Sequence, residues 1–174
     1  MSYSSLLRGL FAVIRNHNKL TTEGIPQIGR GSSVNAKNAK IIIGRGFLTF
    51  SNVHLAAFDN ALLEIGEHVF LNRNCIVIAR GTTKIGKDTR FGPNVCVYDH
   101  NHVFDDSGVY NDLKAGEIVI GERCWIGAGA IILKDTHIGD GCVIGAGCVV
   151  KGDIPPHSIV TAGRDLSITP IRKK

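Results

Sequence analysis

From Ile120 to Lys151 an aliphatic residue falls on every sixth position. The openers are Ile120, Ile126, Ile132, Ile138, Ile144 and Val150. Gly follows at 121, 127, 139 and 145, and a small residue stands four places after an opener, at Cys124, Ala130, Thr136, Cys142 and Cys148. Helices repeat near 3.6 residues and flat strands at two, so neither explains this spacing. A period of six is the mark of a parallel β-helix: each hexapeptide is a short strand plus a corner, and three of them close a triangular coil. The aliphatic then points into the prism, the small residue fills the space beside it, and Gly suits the tight corner.

Upstream the same phase recurs with interruptions. Ile28-Gly29-Arg30-Gly31-Ser32-Ser33 and Val34 fit it, and Ile41-Ile42-Ile43-Gly44 opens another unit. Residues 47–63 read as a less regular apolar coil, after which Ile65, Leu71 and Val77 restore the period. Two extra residues enter at 80–83, because Ile85 follows Val77 by eight; Phe91 and Val97 then continue. Asp99 to Glu117 breaks the period altogether and holds His100, His102, Asp105, Asp106, Tyr110 and Asp112. A coil can eject a loop at a corner without disturbing its stacking, so this excursion is the expected carrier of function. Gly152-Asp153-Ile154-Pro155-Pro156 is expected to end the coils, since Pro cannot donate to a ladder.

Residues 4–16 read as an amphipathic helix, with Leu6, Leu7, Leu10, Phe11 and Ile14 on one face and Ser4 or Ser5 as cap. Its first reading is a helix that covers the N-terminal end of the prism. Its second is an interfacial membrane contact assisted by Arg8, Arg15 and Lys19. The run is too short to span a bilayer, and no small-residue cleavage site follows it. The expected division is an N-terminal helix and capping segment over 1–24, a repeat domain over 25–163 with its loop at 99–117, and a tail over 164–174.

Composition narrows the classes. The 174 residues suit one domain, and 21 Gly with 6% aromatics suit a thin core of Ile and Val. The net charge of +5 would admit nucleic acid, but no Arg/Lys block interleaved with aromatics occurs, and the only basic run is Arg172-Lys173-Lys174. A basic surface facing a phosphorylated cofactor, or simple solubility, is the better reading, with no nucleic-acid partner. Of five Cys, four (Cys75, Cys124, Cys142, Cys148) fall on the small inward position and no CxxC occurs. They read as buried reduced thiols, which fits a reducing cytoplasm.

The repeats, the coil Phe91-Gly92-Pro93-Asn94-Val95, the loop start Tyr98-Asp99-His100-Asn101-His102-Val103-Phe104-Asp105 and the step Cys124-Trp125-Ile126-Gly127 together carry a resemblance. Over residues 25–163 the chain resembles the left-handed β-helix acyltransferases that use acetyl-CoA, in the branch of the maltose, galactoside, capsule and O-antigen O-acetyltransferases and the streptogramin acetyltransferases. The left hand is an implication of that resemblance, because general crossover rules favour the right hand. The resemblance implies a homotrimer with acetyl-CoA between adjacent prisms and sites built from two chains. It places the catalytic base on His102, followed three residues later by Asp105, with His100 as rival. It makes Trp125 a wall of the site and the Ala128 N–H the oxyanion donor. Ala128 and Ala146, eighteen residues apart, would form the edge along which the pantetheine arm lies. Asn94 would contact sugar hydroxyls, with Tyr98 and Asp99 lining the same pocket. The family's lysine before Asp-Ile-Pro-Pro is here one place early, as Lys151, and Gly163-Arg164-Asp165 replaces its usual basic segment. Lys151 and Arg164, or Arg172 or Lys173, therefore stand in for the phosphate contacts.

The chemistry fits these residue types. An attacking hydroxyl must lose a proton, for which His is suited, and the tetrahedral oxyanion needs an N–H donor. No Ser or Cys stands where an acyl-enzyme is expected, so transfer is direct. The reading is thus an acetyl-CoA-dependent O-acetyltransferase of a sugar or bacterial surface polysaccharide, needing no metal, placed in the cytoplasm or at the inner face of the membrane. The rivals are N-acetylation of a nucleotide-linked amino sugar, a gamma-class carbonic anhydrase-like zinc site using His54, His68, His100, His102 or His137, and a non-catalytic β-helix subunit.

Overall fold

A computed structural model describes residues 3–162; the expected tail at 164–174, with Arg164, lies outside them. Helix α1 (Tyr3–Arg15) leads into a solenoid of short parallel strands wound over three faces. The first face stacks β1 (Leu20–Thr22), β3 (Lys40–Ile43), β6 (Leu62–Ile65), β9 (Thr82–Ile85) and β14 (Glu117–Ile120). The second stacks β4 (Leu48–Thr49), β7 (Phe70–Leu71), β10 (Arg90–Phe91), β15 (Trp125–Ile126), β17 (Val143–Ile144) and β19 (Ile159–Val160). The third stacks β2 (Ser33–Lys37), β5 (His54–Phe58), β8 (Ile76–Ala79) and β11 (Cys96–Tyr98). β16 (Ile131–Ile138) and β18 (Val149–Ile154) run on from the third face into the first.

Parallel register stacks like on like. On the first face Ile43, Ile65, Ile85, Ile120, Ile138 and Ile154 form one inward column. Each fully buried aliphatic of this kind stabilises by about 1.5–3 kcal/mol. The small residues Cys124, Ala130, Thr136, Cys142 and Cys148 are buried between the columns, as the period required. All five cysteines are free, and only Cys96 is partly exposed. Burial pushes the Cys75 thiol up to about 11.

The corner glycines serve two needs. A Cβ on Gly127 would come 2.6 Å from the Ala146 nitrogen, and one on Gly86 2.5 Å from the Gly121 carbonyl carbon. Two residues further on, the chain turns through left-handed φ, at Asn52, Asn74 and Asn94 in three coils and at Gly129 and Gly147 in the last two.

Two expectations change. The solenoid starts at Leu20, while Ile25 is exposed. The coils do not end at Pro155-Pro156, because β19 pairs with β17 through Val143↔Ile159 and Ile144↔Val160. Those prolines occupy a corner, where no ladder donor is needed. The helix α1 covers the first coil, but it does not turn its large apolar residues onto the prism. It buries Ser5, Gly9 and Ala12 instead, and a Cβ on Gly9 would lie 1.8 Å from the Pro26 carbonyl oxygen. Only small residues permit that approach.

Candidate active site

The excursion after β11 is a β-hairpin, β12 (His100–Asp105) and β13 (Gly108–Ala115), leaving at the corner between third and first faces. Asp99 ties down its foot. This residue is completely buried, and its carboxylate accepts the Arg80 N–H at 2.7 Å, the Gly81 N–H at 3.1 Å and the Thr83 hydroxyl at 3.0 Å. Its carbonyl accepts the Gly116 N–H at 2.7 Å, joining the outgoing and returning strands. Gly116 lies so close to the next coil that a Cβ would meet Asp135 Oδ1 at 2.2 Å. Asp99, expected to line the acceptor pocket, instead faces the corner as an anchor, since a buried carboxylate needs these donors.

The hairpin register pairs His102 with Leu113 and Phe104 with Val109, so Val103 alone opposes Tyr110, Asn111 and Asp112. Bulges of this kind re-aim side chains and release ladder groups. The Tyr110 carbonyl faces His102 Nδ1 at 3.0 Å, and a carbonyl only accepts. In the neutral ring Nδ1 therefore carries the proton, and the Nε2 lone pair is left for chemistry. The Tyr110 hydroxyl donates to both oxygens of Asp105, at 3.0 and 3.1 Å, and the Ser107 N–H caps the same carboxylate at 2.8 Å. Asp105 thus holds the Tyr110 side chain, while the Tyr110 carbonyl meets His102.

His102 is exposed on the wall of a pocket of about 480 Å³, shared with Tyr98, His100, Phe104, Val109 and Leu133. A smaller pocket of about 220 Å³ also borders His102, beside Lys114 and Lys134. His100 lies deeper: its side chain is 16% exposed, Nδ1 is 3.3 Å from Asp99 Oδ1, and its ring stands edge-on to Tyr98. Desolvation raises the Tyr98 phenol, with Cys96 beside it adding to the effect. The Lys134 ammonium pairs with Asp135, whose carboxyl is held below its ordinary value by that hydrogen bond.

The other expected residues stand elsewhere. Trp125 is 59% exposed on the outside of the second face, in register with Arg90 and Val143. Asn94, Ala128 and Ala146 are exposed at the corner between second and third faces. Asn94 ends a ladder in which Asn52 donates to Asn74 at 3.3 Å and Asn74 to Asn94 at 3.0 Å. Gly127 donates its N–H to Ile144 and Gly129 to Pro93, whereas the Ala128 N–H finds no acceptor among the described residues. That exposed donor fits an oxyanion or an amide carbonyl of an acyl-CoA arm. Lys151 is exposed on β18 at the third corner. Neither pocket beside His102 is lined by Trp125, Ala128 or Ala146. Among the described residues, no three His, Cys, Asp or Glu gather as a metal-binding group.

Spacing assigned no role to Tyr110, nor to the apolar walls Phe104, Val109 and Leu133. The only signal was the presence of Tyr110 in the polar loop, because its link to His102 depends on the bulge.

Residues 117–152 match the family model described as bacterial transferase hexapeptide (six repeats). Nodulation protein L of Rhizobium meliloti (strain 1021) is 45% identical over 95 residues, which are 54% of this chain and 52% of that protein. The chain therefore spans about half the length of this relative. WbbJ of Escherichia coli (strain K12), named as a lipopolysaccharide biosynthesis O-acetyl transferase, is 29% identical over 133 residues, 71% of this chain and 68% of its own. Among solved structures, a single-residue mutant of AntD, an N-acyltransferase from Bacillus cereus in complex with dTDP-4-amino-4,6-dideoxyglucose and Coenzyme A, superposes with a TM-score of 0.71. That match covers 95% of this chain and 87% of the other at 16% identity, and it shows a shared fold. The resemblance to the hexapeptide-repeat acyltransferases is borne out, and residues 117–152 are similar to the bacterial transferase hexapeptide repeats.

Proposed function

We propose that this chain transfers the acetyl group of acetyl-CoA to a hydroxyl of a sugar or bacterial surface polysaccharide, with His102 as general base. The observation that carries the reading is the Tyr110 carbonyl on His102 Nδ1, which leaves Nε2 as an acceptor in an open pocket. The choice of a hydroxyl rests on the likeness to WbbJ. His102 Nε2 takes the acceptor proton as its oxygen attacks the thioester carbonyl. The Ala128 N–H donates to the oxyanion. The C–S bond then breaks, and the leaving sulfur takes the proton back from His102, so no group is left on the protein.

Within one chain His102 and Ala128 occupy different corners. A homotrimer resolves this, with the hairpin of one chain meeting the Trp125 face and the Ala128–Ala146 edge of the next. Tyr98 and Asn94 then border the acceptor, and Lys151 lies on the side available to the donor's phosphates.

Thermal unfolding with acetyl-CoA tests the donor: at about 100 times its dissociation constant the ligand adds about 2.7 kcal/mol. No shift removes acetyl-CoA as substrate. Release of free CoA with hydroxyl sugars, and with amino-sugar nucleotides in parallel, then tests the acceptor. Turnover with the amine alone overturns O-acetylation.

A further inference from the structure

The N-terminal helix is amphipathic in the unexpected sense. Ser5, Gly9, Ala12 and Asn16 share the inward face, and Asn16 fixes the helix end by donating to the Ala12 and Val34 carbonyls at 2.9 and 3.0 Å. At 100° per residue, Tyr3, Leu7, Leu10, Phe11 and Ile14 fall opposite them in a stripe about 100° wide. Leu7 is 66% exposed, and Phe11 and Ile14 are each 64% exposed. Packing onto the first coil is already complete through the small residues, so no rotation of the helix would bury that stripe without bringing Leu or Phe against the Pro26 carbonyl.

Charge is distributed in the same direction. Residues 1–40 contain six Lys or Arg and a single Glu, while the remaining residues contain fourteen of each sign. Residues 1–40, which form α1 and the end of the prism it covers, therefore carry a net charge of +5. Arg15 and Lys19 are exposed there, and α1 itself holds no acidic residue. A cleft of about 100 Å³ between helix and first coil, walled by Arg8, Arg15, Ser32 and Ser33, offers phosphate-binding groups beside the apolar stripe.

We propose that this face docks on an anionic phospholipid surface, the stripe entering the acyl boundary and the cations meeting the headgroup phosphates. A helix of 13 residues is about 20 Å long, enough to lie in an interface and too short to cross one. A second copy fits the face less well, since a twofold contact would set the same cationic end against itself. Docking there places the coil that carries the hairpin three strand spacings, about 14 Å, along the prism from the coil against which the helix lies. The inference is independent of the acetyl-transfer reading.

Co-sedimentation of the full chain with phosphatidylcholine vesicles, with and without phosphatidylglycerol, tests it. Binding is expected with phosphatidylglycerol, weakening as salt rises. The triple variant Leu7→Ser, Phe11→Ser, Ile14→Ser and the double variant Arg15→Glu, Lys19→Glu should each lose roughly tenfold or more in affinity. Thermal unfolding confirms that both variants fold, as expected for exposed sites. No binding to either vesicle, or equal binding to both, overturns the proposal. So does a fall in sedimentation mass of the triple variant without vesicles, which would assign the stripe to a subunit contact. CoA release with a soluble acceptor is followed alongside, so that failure of catalysis and failure of docking are read separately.

Discussion

Two corners of the prism repeat from coil to coil and the third does not. From the first face to the second, and from the second to the third, inward residues are six apart in every coil, as in Ile43, Thr49 and Leu55 or Ile120, Ile126 and Ile132. From the third face to the first, the gaps are 9 from Val34 to Ile43, 10 from Leu55 to Ile65, 8 from Val77 to Ile85 and 23 from Val97 to Ile120. They are 6 from Ile132 to Ile138 and 4 from Val150 to Ile154. The repeating corners are constrained by vertical contact: close-approach glycines, left-handed turn residues, the Asn52–Asn74–Asn94 ladder, and ion pairs such as Arg45 with Glu67 at 3.0 Å. At the third corner the contacts between coils do not repeat: Arg80 pairs with Asp59 one coil back, the buried Asp99 accepts from Arg80 and Gly81, and Lys134 pairs with its own neighbour Asp135. A corner whose contacts differ from coil to coil can also differ in length, and there the hairpin with both histidines leaves the prism.

If the hairpin serves chemistry and the repeating corners serve the fold, substitutions should separate the two. His102→Ala should lower turnover by roughly 10²–10⁴-fold while leaving unfolding free energy within about 0.5 kcal/mol and acetyl-CoA affinity unchanged. A collapse in stability would make the hairpin part of the scaffold and break the distinction. Gly127→Val, which puts a side chain on the Ala146 backbone, should cost about 4 kcal/mol or more in urea unfolding. Asp99→Ala leaves the part-buried Arg80 and Gly81 N–H groups and the buried Thr83 hydroxyl without this acceptor. It should lose about 3 kcal/mol and also expose the hairpin to proteolysis, joining the two regions in one variant. Gly147→Ala, where φ is +71° and the space around a Cβ is open, should cost only about 1–2 kcal/mol.

The smallest effect concerns pH. His137 is raised above its ordinary value chiefly by its hydrogen bond to Asp153, with Glu117 adding to it. A raised folded value means that this contribution is full below the unfolded value near 6.5 and is lost as pH climbs through the folded one. Both partners are largely exposed, so solvent screening keeps it below about 1 kcal/mol. Melting temperatures of the wild type and His137→Gln should therefore diverge at low pH and converge at high pH.

The sequence by itself determined the prism. Inward positions, buried thiols, tight corners and the site of the excursion were all legible, because a period of six is local and every coil repeats the same requirement. It also singled out His102 and His100 within the excursion. Only the tertiary structure decided that Asp99 turns inward, that a bulge brings the Tyr110 carbonyl to His102, that the coils pass through Pro155-Pro156, and that α1 presents its large apolar residues outward. Each of these depends on what a neighbouring coil or an opposing strand brings within contact distance. Asp99 meets the backbone of Arg80 and Gly81 one coil away, and Gly9 meets Pro26 across the helix seam. Spacing along the chain encodes which residues share a face, whereas the atoms that approach that face are fixed only when the coils stack.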